Sequence, residues 1–179
     1  MNTYYADMFN ALFPGFFDQD YIRAMPPEDV PVEQILDLHT FDPGAVTIPC
    51  PEHITFGWYK GDMAPLHEAV ALVDEDWVQY FNPGNRIYCA FDGDRVVSFC
   101  QVDAFGIFDG KRIGGPGCVG TIPAYRARGI GLKMVQQATA ILKEDGFDIS
   151  YIHYTGVGHW YARLGYETVV RWNCTGILE

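Results

Sequence analysis

The segment Val119-Gly120-Thr121-Ile122-Pro123-Ala124-Tyr125-Arg126-Ala127-Arg128-Gly129-Ile130-Gly131 decides how this chain folds. An apolar strand leads there into a glycine-containing turn, and an amphipathic helix follows. The N–H groups at the start of a helix have no partners inside the helix and point outward with the positive end of its dipole. Gly129 and Gly131 let a ligand approach the backbone closely, because glycine has no Cβ. The segment therefore predicts a phosphate-binding turn.

Basic residues are concentrated around this turn. Five Lys and Arg residues and no Asp or Glu lie between Lys111 and Lys133, in a chain whose formal net charge is -11. One small basic island in an acidic chain indicates a single anionic ligand, since a nucleic-acid surface needs a broad basic face. We therefore expect no nucleic-acid partner. The acidic remainder favours a cationic acceptor such as an amine.

Composition excludes several other classes of protein. The 179 residues are 49% hydrophobic, enough for one substantial core. The five cysteines are widely spaced without a C-x-x-C pair, and the five histidines show no ligand spacing, so we expect neither a disulfide framework nor a metal site. No apolar run approaches the roughly 20 residues of a membrane helix. We expect a cytoplasmic protein without a membrane partner.

The chain divides near residue 53. Residues 1–53 are aromatic and interrupted by Pro and Gly, which predicts short helices joined by turns, in an extension packed on a domain formed by residues 54–179. In that domain, alternation from Ile54 to Trp58 predicts a half-buried strand. Apolar residues then recur at helical spacing from Leu66 to Phe81, which predicts a helix.

The remaining elements form a mixed α/β sheet. Two Asp-Gly turns separate strand-like runs at residues 86–91, 95–105 and 113–122, which predicts an antiparallel meander. A helix from about Gly131 to Gly146 follows, then a strand over 148–155, a short helix over 159–164 and a last strand from Tyr166. The connection from the third meander strand through the helix predicts a right-handed parallel unit.

A dinucleotide-binding turn would also place Gly-x-Gly after a strand. That motif needs a third small residue where Met134 stands here, and it follows a parallel sheet, not an antiparallel meander. The sequence therefore favours a different phosphate site.

Two motifs resemble those of one known family. Arg126-Ala127-Arg128-Gly129-Ile130-Gly131 matches Arg/Gln-x-x-Gly-x-Gly/Ala, and Trp160-Tyr161-Ala162-Arg163-Leu164-Gly165-Tyr166 matches an aromatic-Tyr-x-x-x-Gly-aromatic segment. In this order they resemble the GNAT superfamily of acetyl-CoA-dependent N-acetyltransferases, from about Ile54 to the C-terminus. The resemblance implies an α+β fold with a mostly antiparallel sheet, a splayed parallel strand pair and flanking helices. It also implies acetyl-CoA as donor substrate, with no metal.

The resemblance assigns a ligand-binding role to the turn and to the strand before it. The amides from Arg126 to Gly131 would hold the CoA pyrophosphate, with Lys133 or Arg128 screening its charge. The end of the strand would pair with the pantetheine arm, which needs a gap between it and the strand of His153. The positions assigned to CoA are Val119, Gly120, Thr121, Arg126, Ala127, Arg128, Gly129, Ile130, Gly131 and Lys133.

Catalysis is assigned to fewer residues. The resemblance implies that Tyr161 faces the thioester sulfur and supplies a proton or a hydrogen bond to the departing thiolate. The strand 113–122 contains no Glu, Asp or His, so the base is His153, Asp103, His159 or a chain of waters. We expect direct acetyl transfer to a primary amine. The alternative is a non-catalytic acyl-CoA-binding or interaction module of the same fold. The last strand or the extension would allow a homodimer.

Overall fold

The computed structural model describes residues 3–178, so residues 1, 2 and 179, at the outer ends of the two predicted segments, lie outside it. The helices are α1 (Thr3–Leu12), α2 (Asp20–Arg23), α3 (Ala64–Ala71), α4 (Ile130–Glu144) and α5 (Gly158–Tyr161). Short 3₁₀ turns cover Phe16–Asp18, Glu75–Tyr80, Pro123–Tyr125 and Ala162–Leu164. The strands are β1 (Val32–Asp37), β2 (Ile54–Trp58), β3 (Ile87–Asp92), β4 (Arg95–Phe108), β5 (Lys111–Thr121), β6 (Ile149–Thr155), β7 (Glu167–Asn173) and β8 (Gly176–Ile177).

The strands form a mixed sheet. Hydrogen bonding orders the eight strands of residues 3–178 as β2-β3-β4-β5-β6-β1-β7-β8. β5 and β6 pair in parallel, at Ile113↔Ile149 and Gly114↔Ser150. The pairs β2·β3, β3·β4, β1·β6, β1·β7 and β7·β8 are antiparallel. The predicted α+β fold, with a mostly antiparallel sheet and flanking helices, is confirmed.

Strand β1 differs from the prediction. It lies between β6 and β7 and pairs with both. The prediction of helices for the segment 1–53 holds at α1 and α2 but is wrong at Val32–Asp37. The reason is that this short apolar run finds its hydrogen-bond partners in strands more than 100 residues away, which no local pattern records. The predicted division at residue 53 stays a prediction.

The chain folds as two compact units. The terminal unit contains the described parts of Met1–Phe41, Ala104–Gly114 and Gly146–Glu179, and the central unit contains Asp42–Asp103 and Gly115–Asp145. In the terminal unit, α1 contributes Phe9 to a cluster with Phe16 and Trp172, and Met8 to a second cluster with Tyr151. Phe16 and Trp172 meet edge to face, with ring centroids 4.8 Å apart. α1 is therefore part of the apolar core of this unit.

The central unit has a separate core. Leu66 and Val70 of α3, Phe81, Phe99 of β4 and Ile130 of α4 are buried together. The helix predicted from Leu66 to Phe81 ends at Ala71, and a 3₁₀ turn follows in which the Asp74 side chain accepts a hydrogen bond from the Asp76 N–H. Among residues 3–178, no helix combines the length and apolar character needed to cross a bilayer.

Local turn chemistry explains the meander. Gly93, Asp109 and Gly110 have positive φ angles of 57°, 51° and 72°, as the tight turns between strands require. Gly146 follows α4 with φ 79°, in the left-handed conformation that commonly ends helices. These positions confirm the turns and the helix end predicted from the sequence.

Candidate active site

The end of β5 is fixed by hydrogen bonds within the central unit. The Ile122 N–H donates to the Val97 carbonyl at 3.0 Å. The Ser98 hydroxyl donates to the Gly120 carbonyl at 2.7 Å and lies 2.9 Å from Thr121 Oγ1. These bonds hold the backbone that precedes the glycine turn in one position.

A close ring contact explains Gly120. A Cβ at this residue would lie 2.7 Å from Cε2 and 3.2 Å from Cε1 of Phe99, whose side chain is fully buried. Real Cβ atoms essentially never come this close to a ring, so only glycine fits here. Two residues earlier, Cys118 has φ 46°, which locally distorts β5.

The turn that follows β5 contains two residues in the left-handed conformation. Arg126 Nε donates to the Thr121 carbonyl at 3.0 Å, Ala127 has φ 60°, and Gly129 has φ 77° at the N-cap of α4. Gly129 has no side chain with which to cap the first N–H groups of this 15-residue helix. The predicted glycine turn before a helix is therefore present, and a helix start of this kind is where proteins commonly bind anions.

Besides its left-handed φ, a close backbone contact requires glycine at position 129. A Cβ there would fall inside the van der Waals surface of the Pro49 carbonyl oxygen, 3.2 Å from the carbonyl carbon and 3.3 Å from Ile48 Cγ2. The sequence indicates ligand approach as the reason for this glycine, but the Pro49 backbone on the Cβ side requires it as well. Nearby, Gln136 Nε2 donates to the carbonyls of Pro43 and Val46 and fixes the same segment against α4.

The basic side chains near the turn have different partners. The Arg128 guanidinium lies over the ring of Tyr125, 5.2 Å from its centroid, and Arg95 lies over the same ring at 5.6 Å. The Tyr125 hydroxyl donates to Asp92 Oδ2 at 2.6 Å, and this hydrogen bond raises the pKa of Tyr125. Lys133, in the first turn of α4, is half-buried. Two guanidinium groups therefore lie over Tyr125 in the turn, and Lys133 lies in the first turn of α4.

Tyr161 lies in the terminal unit, on the short helix α5. Its side chain is buried, with 6% exposed, and its ring meets those of Trp160 and Tyr166 at centroid distances of 4.8 and 6.0 Å. The Tyr166 hydroxyl is 2.7 Å from Ser150 Oγ, which fixes that ring. Packing on both neighbours holds the Tyr161 ring in one orientation.

His153, on β6 of the same unit, has a carboxylate partner. Its Nδ1 lies 2.8 Å from Oε2 of Glu33, a fully buried residue of β1, while the His153 side chain is 25% exposed. The Phe13 ring stacks on the imidazole at 3.8 Å. No sequence pattern pairs His153 with Glu33, because the two residues are 120 positions apart.

Comparisons with known proteins indicate the type of domain. The family model for an acetyltransferase (GNAT) domain matches residues 83–168, which include the glycine turn, His153 and Tyr161. Over this range the chain is similar to GNAT acetyltransferases. No curated protein sequence matches the chain.

Solved structures share the GNAT fold. A glucosamine N-acetyltransferase region of a fungal multi-domain GH3 β-N-acetylglucosaminidase aligns with TM-score 0.68 and 22% identity, over 79% of this chain and 20% of that one. GCN5-related N-acetyltransferases from Sphaerobacter thermophilus and Kribbella flavida align with TM-scores 0.62 and 0.55, both at 22% identity, over 82% and 87% of this chain. The chain spans 50% and 60% of these two proteins.

The other two candidate bases are Asp103 and His159. Asp103 is half-buried in the central unit, and burial raises the pKa of its carboxyl. His159 is exposed on α5. Within residues 3–178, no three His, Cys, Asp or Glu side chains converge as metal ligands.

The cysteines of the central unit are poor nucleophiles. Burial raises the pKa of Cys89 to about 12 and that of Cys118 to about 11, and it raises the pKa of Cys100 and Cys50 as well. Each is therefore a thiol at neutral pH, whereas formation of an acyl-enzyme on cysteine requires a thiolate.

Glu33 is a site residue that sequence reasoning misses. The sequence does contain one signal for Glu33, which is an acid inside the apolar run Val32-Glu33-Gln34-Ile35-Leu36. If such a run forms a buried strand, its acid must have hydrogen-bond or charged partners. The prolines and glycines elsewhere in residues 1–53 mark turns, and they predict short helices joined by turns instead of a strand.

Proposed function

We propose that this protein is an N-acetyltransferase that moves an acetyl group from acetyl-CoA to a primary amine. The observation that carries the proposal is the start of α4, where left-handed Ala127 and Gly129 leave the first N–H groups of a long helix without a side-chain cap. The match of residues 83–168 to the GNAT domain model supports acyl transfer as the chemistry.

The donor substrate would be held by the central unit. The pyrophosphate would accept hydrogen bonds from the amides between Arg126 and Gly131, with Lys133 and Arg128 offsetting its charge. The backbone of Val119, Gly120 and Thr121 would pair with the pantetheine amides, as an added strand does. Acetyl-CoA supplies an activated thioester carbonyl to this site.

The proton balance of the reaction assigns two further roles. The neutral amine attacks the thioester carbonyl, a C–N bond forms, and the C–S bond breaks. The proton lost by the amine goes to His153, and Tyr161 gives a proton or a hydrogen bond to the CoA thiolate as it departs. The products are an N-acetylated amine and CoA.

Ligand-dependent stability tests the donor site. We expect saturating acetyl-CoA or CoA to raise the unfolding temperature, since a ligand at 100 times its Kd adds about 2.7 kcal/mol, roughly 5–10 °C for this chain length. NAD is the matched control and is expected to have no effect. A differential scanning fluorimetry titration measures the shift. No shift with acetyl-CoA would remove the turn at Arg126–Gly131 as a CoA site.

Direct transfer predicts that no acetyl-enzyme forms. Intact-mass spectrometry after incubation with acetyl-CoA, without an amine, is expected to give the unmodified mass, because the buried thiols described above are protonated. A stoichiometric increase of about 42 Da that an added amine then removes would establish a covalent intermediate and contradict direct attack.

An amine panel that includes glucosamine, amino acids and peptides then tests turnover. The alternative function, a non-catalytic acyl-CoA-binding module, predicts the same thermal shift with no acetylation of any amine. The two functions are therefore separated by combining the thermal shift with the release of CoA thiol.

A further inference from the structure

Glu33 is a fully buried acid with both oxygens engaged. Its Oε1 accepts hydrogen bonds from Trp172 Nε1 at 2.7 Å and from the Tyr154 N–H at 3.1 Å, and its Oε2 lies 2.8 Å from His153 Nδ1. All four residues belong to the terminal unit. A buried carboxylate is tolerated only when it is hydrogen-bonded in this way. Two fixed donors on one oxygen leave the other oxygen for the imidazole.

The imidazole is held just as firmly. Phe13 stacks on it with an interplanar angle of 10°, and Phe16 meets its edge with centroids 5.1 Å apart. The ring cannot rotate without breaking this packing. Glu33 of β1 and Tyr154 of β6 are the titratable groups beside the imidazole, and Tyr151 of β6 lies beside Glu33. Phe9 of α1 and Phe16 contribute aromatic rings. Burial and the Glu33 charge raise the pKa of Tyr151, so its hydroxyl stays neutral.

This arrangement selects one tautomer of His153. A carboxylate accepts hydrogen bonds and has none to donate, so Nδ1 of the neutral imidazole must carry the proton. Nε2 is then unprotonated and has the lone pair that a base needs. We propose that Glu33 is the positioning residue that makes His153 a base, by fixing this tautomer and stabilising the imidazolium that forms when a proton arrives. The inference rests on the proposed role of His153.

The same geometry makes Glu33→Gln a sharp test. The two donors on Oε1 require an acceptor, so the amide oxygen of the new side chain is expected to take that position. Its NH₂ group then faces His153 Nδ1, which must become the acceptor, and the ring proton moves to Nε2. The shape of the side chain is retained, but the base is lost. We expect kcat/KM to fall on the order of 100-fold or more.

The readout is the position of the ring proton. A two-bond ¹⁵N–¹H correlation spectrum of histidine-labelled protein distinguishes protonated from unprotonated ring nitrogens, and the His153→Gln variant identifies the His153 signals. We expect Nδ1–H in the wild-type protein and Nε2–H in Glu33→Gln. Trp172→Phe is the control, because it removes a donor to Oε1 while leaving the carboxylate, and it is expected to keep Nδ1–H.

Two outcomes would overturn the inference. One is the same tautomer in the wild-type and Glu33→Gln proteins. The other is a tautomer switch that leaves kcat/KM unchanged in Glu33→Gln and in His153→Gln. If the wild-type protein acetylates no amine, the proposed function fails, and the spectra still report independently on whether Glu33 sets the tautomer.

Discussion

Gly129→Ala is expected to lower the free energy of unfolding by about 3–5 kcal/mol and to abolish the stabilisation by acetyl-CoA. Two effects combine. A left-handed φ of 77° costs a residue with a Cβ about 1–2 kcal/mol. The new methyl group would also overlap the Pro49 carbonyl, so either that backbone or the start of α4 must move. Urea unfolding, with and without acetyl-CoA, measures both losses.

Gly110→Ala is the matched control for this change. Gly110 has a similar φ of 72°, but a Cβ there would meet no atom within 4 Å. We therefore expect only the conformational cost of about 1–2 kcal/mol, with the acetyl-CoA shift retained. Equal losses of stability in the two variants would mean that the Pro49 segment adjusts freely and that the steric argument is wrong.

Tyr161→Phe is expected to lower turnover about 10- to 1000-fold while leaving the affinity for CoA nearly unchanged. The change removes the hydroxyl that we assign to the departing thiolate and keeps the aromatic ring that packs on Trp160 and Tyr166. Steady-state kinetics with the best amine of the panel gives kcat, and the thermal shift with CoA reports on binding.

Tyr80→Phe provides the comparison. Tyr80 is 52% exposed and has no role in the proposed reaction, so loss of its hydroxyl is expected to leave kcat within about twofold. A Tyr161→Phe variant with the same kcat as Tyr80→Phe would remove Tyr161 from the mechanism. A loss of CoA binding in Tyr161→Phe would instead show that the hydroxyl contributes to binding of CoA and not to the chemical step.

The variants at Gly129, Tyr161 and Glu33 probe different proposed steps. Gly129→Ala is expected to affect donor binding and the fold of the central unit, whereas Tyr161→Phe is expected to affect the departure of the leaving group. Glu33→Gln is expected to affect removal of the amine proton through His153. Each predicts a different combination of stability, CoA affinity and turnover, so a failure at one step leaves the other two assignments open to test.

The sequence predicts the elements that local backbone preferences encode. Asp-Gly pairs favour positive φ angles, so they mark the turns of the meander, and apolar spacing marks α4 between Gly129 and Gly146. The glycine turn is predictable for the same reason, since its conformation and its charge are properties of one continuous segment. The order of these elements is enough to predict the mixed sheet.

Only the tertiary structure decided the features that join distant parts of the chain. β1 is an interior strand because it forms hydrogen bonds with β6 on one side and with β7 on the other. Glu33 contacts His153, which is 120 residues away in the sequence. The Pro49 carbonyl occupies the space that a Cβ of residue 129 would need. Periodicity and turn chemistry are local, whereas these contacts depend on how the folded chain brings remote segments together. The sequence by itself therefore determined the fold class and the turn, and tertiary packing decided which acid faces the histidine.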